Sequence, residues 1–203
     1  PTPEGLLHGT AMARTILDTV ADALAERGNT SGRVALSILP IDVYGGAPTT
    51  DTFSIAQGLF ESLNRHANVI NLSLGGYSDS PLIRQLTQSA SQHGVVVVAA
   101  AGNDAQTTRM YPAADPGVIA VTASDASGQI AAYANRGPWV DAIAPGDNLV
   151  SIGGQSWFGS GTSFATSRVS GWAAGYLASA GAQRGAATRM TLGRWGVASS
   201  PRP

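Results

Sequence analysis

The chain has 203 residues, enough for one sizeable hydrophobic core and too few for two comfortable ones. Only 12% of it is charged, 25 residues are glycine, and the net charge is −1 with no basic run, so a disordered chain, a nucleic-acid binder and an anionic-membrane binder are all disfavoured. It holds no cysteine and no lysine, which excludes a thiol nucleophile, disulfides, cysteine-ligated zinc and a serine–lysine dyad.

Residues 11–26 carry Met12, Ile16, Val20 and Leu24 at helical spacing and end at Arg27-Gly28, a helix stop. Residues 34–43 are rich in aliphatic and β-branched types and read as a strand. A loop of glycine, proline and threonine follows, and residues 52–65 read as a helix. Then come a strand over 69–74, a helix over 81–92 with Pro81 in its first turn, and strands over 95–101, 118–123 and 140–144. Residues 164–178 are apolar at helical spacing.

Val95-Val96-Val97-Val98 is apolar without alternation, the pattern of a strand buried on both faces. Strands separated by helices predict βαβ units and an α/β fold with a mainly parallel sheet. One domain is expected over residues 1–180, with an extension over 181–203 that is loose at its end. No apolar stretch approaches the roughly 20 residues that span a bilayer. No signal peptide is visible and the first residue is Pro1, so the residues leave the cellular address unknown.

Several residues carry candidate chemistry. Ser163 follows Gly159-Ser160-Gly161-Thr162 and falls in the first turn of a helix, where free N–H groups favour developing negative charge. It reads either as a nucleophile or as a helix N-cap. His8 stands just before the first helix beside Gly9, as a base or as an exposed histidine. His66 and His93 lie near predicted helix ends and are assigned no role. Asn103 and the Ser73-Leu74-Gly75-Gly76 loop each follow a predicted strand, and ligands of open parallel sheets bind at the carboxyl ends of strands. A turn residue is the competing reading of Asn103.

In combination these segments resemble the subtilisin-like serine peptidases, the subtilases. The resemblance is carried by His8-Gly9-Thr10, Val69-Ile70-Asn71-Leu72-Ser73-Leu74-Gly75-Gly76, Ala100-Ala101-Gly102-Asn103 and Gly161-Thr162-Ser163-Phe164-Ala165. Between the last two lie Tyr111-Pro112-Ala113, Ala134-Asn135-Arg136-Gly137 and Ala144-Pro145-Gly146, also in family order. The resemblance implies a three-layer α/β/α domain and a serine endopeptidase or acyl hydrolase. Ser163 would be the nucleophile, His8 the general base, and the Asn103 amide with the Ser163 N–H the oxyanion donors.

It further implies an extended peptide or protein substrate. That substrate would pair as an added strand with Ser73, Leu74, Gly75 and Gly76, opposite a wall of Ala100, Ala101 and Gly102. The sibling sedolisins use a glutamate base and an aspartate at the oxyanion position, which His8 and Asn103 do not match. The family resemblance makes a secreted or periplasmic protein the expectation, and structural calcium is common in the family. Asp42, Asp51, Asp79 and Asp104 are too scattered to form a ligand cluster, so no cofactor or metal is expected.

The chain departs from the family at three places. The aspartate that orients the histidine, on a strand some thirty residues before it, has no counterpart. Glu4 is not at the matching position, and Asp18 and Asp22 lie about 15 Å and 21 Å along the helix from His8 at about 1.5 Å per residue. The expectation is that an upstream or separate segment supplies this strand and its acid, the alternative being a reduced domain. Arg14 replaces a usual glycine and would need a new environment, such as the gap left by that segment. Ser167-Arg168 replaces a usual proline. The alternative function is an impaired subtilase-like pseudoenzyme that binds extended peptides or accepts a partner strand.

Overall fold

The computed structural model describes residues 3–26, 35–152 and 154–179, with side chains from His8 onward. The extension expected at 181–203 and the side chain of Glu4 lie outside the described residues. The first helix, α1, spans Pro3–Glu26. It therefore starts a full two turns before the expected residue 11, and His8 sits inside the helix rather than ahead of it. Proline is suited to that start, because a first-turn N–H has no partner to lose.

Residues 35–42 form no strand, contrary to expectation. A strand needs a ladder for its backbone groups, and no described strand lies beside these residues. Leu36, Ile38 and Leu39 are exposed. Ile41 and Val43 instead lie against Gly58 of helix α2, Thr52–Asn64, where an added Cβ would meet Val43 at 2.7 Å. Asp51 caps α2 by accepting the Ser54 N–H at 2.8 Å.

Strand β1 (Val69–Leu72) leads to helix α3 (Pro81–Gln92), which Ser80 caps. Then follow β2 (Val96–Ala100), β3 (Val118–Ser124) and β4 (Ala142–Pro145). All four strands are parallel, in the order β1-β2-β3-β4. Beyond β4 comes an antiparallel hairpin absent from the sequence reading, β5 (Asp147–Ile152) and β6 (Gln155–Ser160). Its alternation is masked by glycine and serine, and β6 runs straight into helix α4, Thr162–Ser179.

The architecture is three layers. Leu59, Ile70, Leu72, Ile83 and Ala90 join α2 and α3 to one face of the sheet. Val98, Val121, Val169 and Ala173 join α4 to the other. The valine run of β2 is fully buried because both faces are covered, as its lack of alternation predicts.

Helix α1 lies outside α4 and runs parallel to it. Small residues permit the close approach. An added Cβ at Gly171 would stand 2.7 Å from Thr19 Cβ and 2.8 Å from the Ile16 carbonyl, and one at Gly175 would stand 2.8 Å from Ala23 Cβ. Nearer the N-termini, the buried Ser167 hydroxyl contacts Met12 Sδ at 3.1 Å. Arg14 does not enter a gap; it is exposed and pairs with Asp18 at 2.8 Å. Ser167 donates to the Ser163 carbonyl, and half-buried Arg168 donates to the Asp147 carbonyl and Asn148 Oδ1, so α4 holds β5. Burial pulls the Arg168 guanidinium below its ordinary range, opposed by Asp22 and Asp18.

Candidate functional site

The carboxyl ends of β1 and β2 and the amino end of α4 meet at one place. Ser163 is the second residue of α4, so it is not the residue before the helix that would cap it. That task falls to a distant side chain. Asn103 Oδ1 accepts both the Thr162 N–H at 2.9 Å and the Thr162 hydroxyl at 3.0 Å. With its oxygen committed to the helix end, the Asn103 amide presents its NH2 group outward, without a hydrogen-bond partner among the described residues.

Thr162 is buried and links three segments. Its hydroxyl, besides donating to Asn103, accepts the Gly102 N–H at 3.2 Å. Gly161 precedes it with φ +152°, and a Cβ added there would lie 3.5 Å from Asn103 Nδ2 and 3.9 Å from the Ser163 nitrogen. Two amide nitrogens therefore border the same small space beside a residue that has no side chain. Such an arrangement of preorganised donors stabilises charge developing on an oxygen.

The Ser163 hydroxyl donates to the Ser73 carbonyl at 3.5 Å. Ser73 donates back to the Ser163 carbonyl at 3.2 Å and accepts from Asn71, which in turn accepts from Ser170. These bonds fasten the first two turns of α4 to the end of β1. Leu74 is half-buried against the α2–α3 side of the core, and Gly75 is exposed. Gly76 differs from its neighbours, because Tyr111 takes both its N–H and its carbonyl, at 2.9 and 2.7 Å. It closes the strip rather than offering a free edge.

The opposite wall is saturated. The Ala101 N–H bonds to Val121, its carbonyl accepts from the Asn135 amide, and the Gly102 carbonyl accepts the Asn135 N–H. Ala100 is paired in the sheet with Val121. Asn135 is fully buried, and its Oδ1 also accepts the N–H groups of Asp104 and Gln106. It shapes the loop that carries Asn103, a role the sequence did not reveal. Thr162 was also overlooked; its position beside Ser163 was the available signal.

His8 is placed by register. One turn before the Met12–Ser167 contact, the parallel helices α1 and α4 bring His8 and Ser163 to the same level. His8 is exposed, and no hydrogen bond among the described residues joins its ring to Ser163 or to a carboxylate. Asp18 is engaged by Arg14. His66 and His93 stand at helix ends, His93 Nδ1 lying 2.8 Å from the Ser89 carbonyl.

The four scattered aspartates each have a local partner. Asp42 accepts the N–H groups of Tyr44 and Gly45, Asp51 caps α2, Asp79 pairs with Arg84, and Asp104 accepts the Tyr77 hydroxyl. No group of three His, Cys, Asp or Glu side chains placed to hold a metal ion exists among the described residues. No described helix is long and apolar enough to cross a membrane.

Comparison with known proteins gives the same family from three directions. The sequence profile of the subtilase family (Peptidase S8) matches residues 2–193. Subtilisin Savinase of Lederbergia lenta is 36% identical over 179 residues, covering 85% of this chain and 64% of its own length. An alkaline protease of Shouchella clausii is 36% identical over 179 residues, covering 85% and 45%. Among solved structures, a mutant of the protease domain of PatA superposes with a TM-score of 0.62 at 32% identity, over 66% of this chain and 52% of that one. The prenylagaramide maturation protease PagA gives 0.60 at 31% identity, over 64% and 50%. The chain thus spans less than two thirds of the length of these relatives.

Proposed function

This chain belongs to the subtilase family, and from that premise we propose that it is a serine endopeptidase or acyl hydrolase acting on an extended peptide. Ser163 Oγ attacks the carbonyl carbon, His8 takes the hydroxyl proton and returns it to the leaving amine, and water then releases the acyl group by the same exchange. The Asn103 amide and the Ser163 N–H hold the oxyanion. The observation that carries the reading is the pair of amide nitrogens, Asn103 Nδ2 and the Ser163 N, bordering the space beside Gly161. The strip of Ser73, Leu74 and Gly75, at the carboxyl end of β1, supports substrate pairing as an added strand.

The carboxylate that orients His8 is, in this proposal, brought by a further strand. Two features favour that source: β1 is an edge of the described sheet, and the apolar residues Leu36, Ile38 and Leu39 are exposed. The exposed His8, without a hydrogen-bond partner among the described residues, favours a second reading, a domain that holds peptides and cleaves slowly or not at all. The deciding experiment is intact-mass detection of a fluorophosphonate adduct. An adduct that Ser163→Ala abolishes supports the hydrolase; a folded chain that takes no label supports the binding domain.

A further inference from the structure

The seam between α1 and α4 is made of small side chains, with Gly171 and Gly175 against Thr19 and Ala23. Such packing fixes how far apart the two helices stand. Apolar contact has no direction, however, and resists sliding along the axis only weakly. The level of His8 along α4 therefore depends on directed bonds that reach α1 from other elements. The Ser167 hydroxyl supplies one, and it ends on the thioether of Met12, a weak acceptor.

A stronger tie comes from the hairpin. Asn148 of β5 donates its side-chain amide to the Thr15 hydroxyl at 2.8 Å, and that hydroxyl donates to the Ala11 carbonyl at 2.8 Å. Asn148 is itself held, because Arg168 of α4 donates to its Oδ1 at 3.0 Å and to the Asp147 carbonyl at 3.1 Å. Thr15 is 1% exposed, so water does not compete for its hydroxyl. The bonds thus run in one direction, from a guanidinium on α4, through β5, into α1. A cation at the head of such a series makes the first bond charge-assisted and polarises those that follow. Asp22 and Asp18 on α1 attract the same guanidinium.

Thr15 stands seven residues after His8, close to two whole helical turns and about 10 Å along the axis. The two residues therefore share one side of α1. We propose that Asn148 is a positioning residue for His8, locking α1 at one level along α4 so that the imidazole is held level with Ser163. The inference rests on the catalytic roles assigned above and deepens them. Asn148 touches neither substrate nor reacting atom; it acts through Thr15.

The test breaks the tie from the α1 side. Thr15→Val keeps the shape of the side chain, leaves the Arg168–Asn148 bond in place and removes the oxygen that receives Asn148 Nδ2. The rate of fluorophosphonate labelling of Ser163 is expected to fall about 2–10-fold, the population shift that one hydrogen bond of ordinary strength controls. Asn148→Ala, which breaks the tie from the other side, is expected to match it. Thr15→Ser keeps the hydroxyl and is expected to label like the native chain. In the His8→Ala background α1 carries no base, so Thr15→Val should leave the slow residual labelling unchanged. General loosening of the fold would lower that rate too. Hydrogen exchange of the α1 amides, followed on the same proteins, should quicken about 2–10-fold in Thr15→Val and Asn148→Ala, and stay native in Thr15→Ser.

Native labelling rates in Thr15→Val and Asn148→Ala, an equal fall in Thr15→Ser, or an equal fall with and without His8 overturns the proposal. A native chain that takes no label removes the hydrolase reading by itself, and exchange then decides about the tie. Faster α1 exchange in both variants supports the lock, and unchanged α1 exchange overturns it.

Discussion

The two helices that carry the paired functions are anchored very differently. Helix α4 crosses the buried face of the sheet, its amino end capped by Asn103 and tied to β1 through Ser73 and Asn71. Helix α1 packs on α4 and β5 and bears His8 on an exposed turn. The groups proposed as nucleophile and oxyanion donors are therefore held by the described core, whereas the proposed base, His8, is hung from one helix–helix seam. In the proposed mechanism the attacking half is preorganised, and the proton-handling half depends on what holds α1 in place.

Removing the attacking half outright has the largest expected effect. Ser163→Ala should abolish acylation, a loss of about 10⁶ in kcat where such a serine has been removed from subtilisin itself. Retained peptide affinity would separate chemistry from binding. Next is Asn103→Ala, with an expected loss of about 10²–10³ in kcat, again the magnitude known from subtilisin. Because the same side chain caps α4, the variant should also lose about 0.5–2 kcal/mol of stability, read from a denaturant titration.

The seam is broken by Gly171→Ala. The new methyl would stand 2.7 Å from Thr19 Cβ, so α1 must move outward. The expected cost is about 1–3 kcal/mol, with a fall in the His8-dependent rate and an unchanged affinity for peptide. A fall in affinity as large as the fall in rate would show that the seam shapes the cleft too. Thr162→Val probes the other side of the comparison. It leaves the Gly102 N–H without its partner and Asn103 Oδ1 with the backbone N–H of residue 162 alone, at an expected cost of about 1–3 kcal/mol.

The smallest effect concerns the caps. Asp51 caps α2 with a carboxylate held below its ordinary range, chiefly by the Ser54 N–H, while α4 is capped by a neutral amide. A depressed folded-state value means the Asp51 contribution is complete above the unfolded value and lost as pH falls through the folded one. Between pH 5 and pH 2, protection of α2 amides from hydrogen exchange should weaken, and Asp51→Asn should remove that dependence. An equal loss at α4 would contradict the comparison.

Much of the fold was legible in the residues. The valine run of β2 announced a doubly covered parallel strand, Pro81 marked the first turn of α3, and glycines 171 and 175 fall at one-turn spacing on the face where α1 packs. Residues 35–42 misled because β propensity describes fit to a neighbour and no described neighbour is there. The hairpin β5–β6 escaped notice because Gly159 and the serines dilute its alternation. Ser160-Gly161-Thr162-Ser163 looked like a local turn with its own cap, but the cap arrives from Asn103, fifty-nine residues away.

By itself, the sequence determined the family, the residue types proposed for a serine acyl-transfer site, their order along the chain and the parallel sheet that presents them. Those depend on local pattern, which one chain displays directly. Only the tertiary structure decided that Asn103 turns its oxygen to Thr162 and its NH2 group outward, that Gly76 is consumed by Tyr111, and that Met110 lies between Gly75 and Gly102. Each of these is a competition for one hydrogen-bonding group or one packing space among residues distant in sequence. Such competitions are settled when the sheet brings its contenders together.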